Sequence, residues 1–127
     1  MVRRCNLRCQ YCMPLEGAPL TPSPDLLSSD EIVKIAGIFV SEGVKKVASQ
    51  CPCRPCSRLS AQIRLTGGEP LVRGDAVELV ARLKALPGLE TLAITTNGLT
   101  LARKLPALQA AGLDAINIRC DSGTQGY

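Results

Sequence analysis

The chain has 127 residues, 46% of them hydrophobic, with a formal net charge of +4; this suits one modest domain with a packed core and falls short of a complete (β/α) barrel. Histidine is absent, which excludes Ser-His-Asp triads and His-ligated zinc. Three aromatics, Tyr11, Phe39 and Tyr127, are too few for base-stacking on single-stranded nucleic acid, and no apolar run reaches the roughly 18 residues of a membrane span.

In chain order, the first feature is Cys5-x3-Cys9-x2-Cys12, in the context CNLRCQYC, preceded by no visible signal or targeting peptide. Seven cysteines without a secretory signal read as metal ligands rather than disulfide partners. Three thiolates this close can hold one [4Fe-4S] cube and leave its fourth iron without a protein ligand. An open iron of that kind can chelate the amino and carboxylate groups of S-adenosylmethionine (SAM) and pass an electron to its sulfonium. The alternative is a zinc knuckle, although structural zinc wants four ligands and no nearby fourth is offered.

Ser28 with Glu31 forms a capping-box pattern ahead of Ile32, Ile35, Ala36 and Phe39, so a helix is expected there with Gly43 as its stop. Residues 47–62 (VASQCPCRPCSRLSAQ) then interrupt the pattern: they are rich in Cys, Pro and Ser and carry no period. Cys51, Cys53 and Cys56 within them are either a second metal site or part of a splice or gene-model product without a selected role.

A β-type run at Gln62–Thr66 leads into Gly67-Gly68-Glu69-Pro70. Asp75 and Glu78 are placed to cap a second helix with the apolar face Leu79, Val80, Leu83 and Leu86, ended by Pro87-Gly88. A second β run covers Thr91–Thr95. A third helical stretch passes through Leu101, Leu105 and Leu108 to Gly112, with Pro106 expected to divide it into two pieces. The third β run is Asp114–Ile118. Strands alternating with helices of this length imply βαβ units and a parallel sheet. The cysteine loop, Gly67–Glu69, Thr95–Asn97 and Arg119 all fall at carboxyl ends of strands, the active face of a (β/α) barrel.

CxxxCxxC with Tyr11 before its last cysteine, together with the GGEP tetrad at 67–70, resembles the radical SAM superfamily. Longer stretches (CNLRCQYCMPLEGAPLTPSPDLLSSDEI, IRLTGGEPLVRGD, TTNG and LPALQAAGLDAINI) resemble the GTP 3',8-cyclase family of molybdenum cofactor biosynthesis, over roughly residues 5–46 and 63–118. The resemblance implies an α/β fold, a partial (β/α) radical SAM barrel of about four parallel strands with flanking helices. It implies that Cys5, Cys9 and Cys12 hold the [4Fe-4S] cluster and that Tyr11, Gly67, Gly68 and Glu69 shape the SAM site. Arg64 and Thr95 match residues that hold GTP, for which a guanidinium fork and a strand-end hydroxyl are suited. Read from the residues alone, the alternatives are that Arg64 is an ordinary surface charge on a strand and Thr95 an ordinary strand threonine.

The sequence departs from that family in four places. Only four residues precede Cys5, so the family's opening strand and its GTP-contacting arginine are expected to be missing. Residues 47–62 read as an inserted loop and residues 119–127 as a divergent tail, with Arg119 where the family has a SAM-contacting serine and Cys120 without a role. The remainder of the barrel and the family's second cysteine triad are not in the sequence. The expected function is therefore the core of a GTP 3',8-cyclase lyase, inactive alone, that would convert GTP to its 3',8-cyclo form. The alternatives are a non-catalytic iron-sulfur or zinc-binding fragment, paired with itself or with a full-length chain, and a radical SAM enzyme with another substrate. Arg64 and Leu20–Pro22 separate the cyclase from its relatives. Neither nucleic acid nor membrane is an expected partner. The expected compartment is mitochondrial by resemblance if the source is eukaryotic and cytoplasmic otherwise.

Overall fold

The computed structural model describes residues 5–7, 22, 25–43 and 61–119. Cys9, Tyr11, Cys12, Cys51, Cys53, Cys56, Cys120 and the tail beyond Arg119 lie outside the described residues, as do residues 47–60 of the expected insertion.

Helix α1 runs Ser29–Ser41. Its start is the reciprocal box that Ser28 and Glu31 predict: the Ser28 hydroxyl accepts from the Glu31 N–H, and the Glu31 carboxylate accepts from the Ser28 N–H at 2.8 Å. Gly43, at φ +67°, follows the last turn in the left-handed conformation that ends helices. Only half of the expected apolar stripe is covered. Ile32 and Ala36 are buried, whereas Ile35 and Phe39 are 41% and 54% exposed. They flank an open apolar groove beside strand β1 (Ala61–Leu65), which is outermost in the sheet of the described residues.

Three strands, β1, β2 (Leu89–Thr96) and β3 (Ala115–Ile118), form a parallel sheet in sequence order. The boundary of the sequence-defined insertion shifts accordingly, because Ala61 and Gln62 already belong to β1. Helix α2 (Ala76–Lys84) crosses from β1 to β2, and α3 (Leu101–Ala110) from β2 to β3. Parallel neighbours require such crossovers, and the apolar stripes of the helices decide which sheet face they cover. Leu79, Val80 and Leu83 of α2 and Leu101 and Leu108 of α3 are buried with Leu65, Leu92 and Ile94 of the strands. Each such leucine contributes on the order of 1.5–3 kcal/mol through the area it removes from water.

Two local expectations are corrected. Asp75 occupies the N-cap position of α2, yet its side chain makes no cap bond. The Arg73 guanidinium takes it in two parallel bonds (2.9 and 2.8 Å), and the Ser29 hydroxyl donates to it as well. A bidentate charge-assisted pair is a stronger partner than a single backbone N–H. Pro106 does not divide the third helix: Leu101–Ala110 is continuous. The ring removes one N–H from the ladder, but buried Leu101 and Leu108 and the partly buried Leu105 hold the segment on the core from both sides of the proline.

Strand alternation then sorts the remaining side chains. Ile63, Leu65, Leu92, Ile94 and Ile116 face the helices. Gln62, Arg64, Thr91, Thr95 and Asn117 fall on the opposite face, where Arg64 opposes Ala93 and Thr95 opposes Asn117 in register. One face is thus a hydrophobic floor for helices and the other a polar surface with Ala93 at its centre.

Candidate functional site

The site forms where the chain leaves β1 and β2 at the carboxyl end of the sheet. After Thr66 the backbone passes through Gly67 at φ +101° and Gly68 at φ +59°. Two consecutive positive φ values explain the pair of glycines, since a Cβ at either position would meet the backbone carbonyl. Both glycines are exposed, so the turn presents main chain rather than side chain to its surroundings.

Glu69 follows at once and is 1% exposed. Its carboxylate is taken up inside the fold. Oε1 accepts from the Leu71 N–H at 3.0 Å and from the Thr96 hydroxyl at 2.7 Å; Oε2 accepts from the Asn97 N–H at 2.6 Å. The first bond caps the single 3-10 turn Pro70–Val72, and the other two reach the end of β2. One buried carboxylate thereby ties the exits of two neighbouring strands together. Burial of such a group is tolerated because its acceptor sites are filled by well-placed donors. Thr96 closes the arrangement by accepting from the Gly98 N–H at 3.1 Å.

The same cluster reaches the cysteine loop. Asn97 accepts from the Leu99 N–H at 3.1 Å through Oδ1, which turns its amide NH2 outward to donate to Asn6 Oδ1 at 2.8 Å. Asn6 adjoins Cys5, which is half-buried. Residues 91 apart in sequence are thus joined directly. On the polar sheet face below, Arg64 is exposed and Thr95 half-buried. Arg119 continues the strand pattern, its N–H donating to the Thr96 carbonyl at 2.9 Å, with its side chain exposed.

Of the sequence-derived residues, the fold brings Cys5, Gly67, Gly68, Glu69, Arg64 and Thr95 to one end of one sheet. Cys9, Cys12 and Tyr11 lie outside the described residues. Sequence reasoning did not find Thr96 and Asn6 as members of the Glu69 cluster. The available signal was the TTNG run itself, in which a short polar side chain precedes a glycine after a strand, as an Asx turn requires. Gly98, at φ +84°, is that glycine.

The Radical SAM superfamily model matches residues 1–127, the entire chain. The chain belongs to the radical SAM superfamily. It is 56% identical over 122 residues to the bovine "Molybdenum cofactor biosynthesis protein 1", a match that covers 96% of this chain and 17% of that protein. It is 55% identical to the Arabidopsis thaliana "GTP 3',8-cyclase, mitochondrial", covering 96% of this chain and 27% of that one. Against the "GTP 3',8-cyclase" of Limosilactobacillus fermentum the identity is 49%, with 94% and 31% covered. The chain therefore spans between about a sixth and a third of the length of these curated relatives. In fold it is similar to the crystal structure of BtrN in an open conformation, with a TM-score of 0.59 at 19% identity over 95% of this chain and 47% of that one.

Membership implies a [4Fe-4S] cluster and SAM as cofactors. The donor set fits: the cysteine motif supplies three thiolates and no fourth neighbour, and the residue after its first cysteine is tethered at the carboxyl edge of the sheet, beside the Gly67-Gly68 turn's own anchor. Among the described residues no helix is long and apolar enough to cross a membrane.

Proposed function

We propose that this chain forms the cluster- and SAM-binding core of a GTP 3',8-cyclase of molybdenum cofactor biosynthesis. Cys5, Cys9 and Cys12 hold the cluster as thiolates, and when bound the cluster and SAM supply the one-electron chemistry that produces a radical able to abstract hydrogen from the GTP ribose. Everything else falls to the chain: binding, orientation and the exclusion of water.

Tyr11 would contact the adenine of SAM, as the family resemblance implies. The exposed main chain of Gly67 and Gly68 offers carbonyl acceptors to its ammonium group. Glu69, whose carboxylate is enclosed and already accepts three bonds, serves this site by fixing the shape of the glycine turn. Arg64 pairs with the triphosphate through its planar fork, and Thr95 offers a hydroxyl to the nucleoside. The observation that supports this reading most is that Arg64 and Thr95 share the polar face of the sheet, opposite the helices and beneath the glycine turn. A mitochondrial setting accompanies the reading if the source is eukaryotic.

The test is the reductive cleavage of SAM by the reconstituted chain under anaerobic conditions. Formation of 5'-deoxyadenosine that rises on addition of GTP, and does not rise in Arg64→Ala, supports the assignment. Cleavage that is indifferent to GTP in the wild type counts against a GTP site in this chain, and the absence of cleavage favours a non-catalytic fragment.

A further inference from the structure

We infer that Asn97 is a positioning residue for the cysteine loop, acting through Asn6, and that Glu69 holds Asn97 in place for that purpose. The inference rests on the cluster reading of Cys5, Cys9 and Cys12.

The loop that carries the thiolates needs a fixed origin, because three ligands to one cluster must arrive within a few tenths of an ångström of their places. The hydrogen bond from the Asn97 amide NH2 to Asn6 Oδ1, at 2.8 Å, is a side-chain link between the loop and the sheet. Its direction is determined by the rest of the network. The Asn97 Oδ1 accepts from the Leu99 N–H, and the Asn97 N–H donates to Glu69 Oε2 at 2.6 Å, so the amide NH2 is the group left to face the loop. Glu69 is buried and bonded also to Thr96 and Leu71, which makes the origin rigid. The same carboxylate thus sets the glycine turn on one side and the cysteine loop on the other. Asn6, beside the first cysteine, and the glycine turn are both referred to this single group.

The relation is tested with Asn6→Ala, Asn97→Ala and the double variant, each reconstituted with iron and sulfide as the full chain. The readouts are the rate of cluster loss to a chelator, the EPR signal of the reduced cluster with and without SAM, and far-UV circular dichroism as a check of fold. Each single variant is expected to lose its cluster about two- to tenfold faster than wild type, the range one hydrogen bond of this kind commands. The double variant is expected to be no faster than the worse single, because both remove the same bond. Asn97→Asp keeps the acceptor for Leu99 and can receive the Asn6 amide after it turns over, so it is expected to return toward wild type. Equal rates and identical spectra in wild type and both alanine variants overturn the clamp, as do additive effects in the double variant. A wild type that takes up no cluster overturns the cluster reading itself, and the clamp falls with it.

Discussion

Glu69 and Thr96 meet at 2.7 Å across the ends of β1 and β2, two residues 27 apart in sequence and both almost entirely buried. A motif that looks local in the sequence, Gly-Gly-Glu-Pro, therefore works as a cross-strand joint. Replacement of Glu69 by Gln keeps the size but exchanges one acceptor for a donor. With three donors converging on the group, one of them must then face an NH2. Glu69→Gln is expected to lower the unfolding free energy by about 1–3 kcal/mol, the cost of a buried polar group left unpaired. Urea unfolding of the two proteins measures it, and an unchanged midpoint would show that the site relaxes around the amide.

The glycines of the same turn are not equivalent. Gly68, at φ +59°, sits in the left-handed region that other residues visit at a cost, whereas Gly67, at φ +101°, lies outside it. Gly67→Ala is expected to destabilise more than Gly68→Ala, with the latter costing about 1–2 kcal/mol. Thermal unfolding of the pair, side by side, gives the order.

Asp75 makes stability depend on acid. The Arg73 guanidinium, and after it the Ser29 hydroxyl, hold its carboxyl well below the usual carboxylate range. A depressed folded-state value means that the contribution is complete above the unfolded value of about 3.9 and is lost as pH falls through the folded one. The urea midpoint of the wild type is expected to decline on acidification below about pH 4–5. Asp75→Asn, which cannot titrate, is expected to start less stable at neutral pH and to decline less steeply. Parallel slopes for the two would assign the acid sensitivity to other carboxylates.

Pro106 lies in the sixth position of α3 and leaves the carbonyl one turn earlier without its N–H partner. Pro106→Ala restores the bond and improves helix propensity, against a smaller loss from a more flexible unfolded chain. The expected net gain is about 1–2 kcal/mol, read from chemical denaturation.

The sequence made the alternation of strand and helix legible because each element carries its own period. Leu79, Val80 and Leu83 repeat on a helical face, and the short β runs are bounded by Gly and Pro. The capping box at Ser28 was equally plain, since it is wholly local. What could not be read were relations between distant segments. Arg73 stands only two residues from Asp75, but nothing in the sequence announces that Ser29, 46 residues away, shares that carboxylate and draws it from its own helix end. Exposure of Ile35 and Phe39 depends on what lies beside β1, which helical spacing does not encode. The site divides in the same way: residue types and spacing point to the cysteines and the glycine turn, and the family resemblance adds Arg64 and Thr95. The enclosure of Glu69 by Thr96 and Asn97 emerges only when β2 is laid against β1.

The central claim is that the three-cysteine loop holds a cluster with an iron open to SAM. It is tested most directly by EPR of the anaerobically reconstituted, reduced chain, recorded before and after addition of SAM. A [4Fe-4S]⁺ signal whose shape changes on SAM addition is expected. A chain that takes up no cluster, or a signal that SAM leaves untouched, would contradict it.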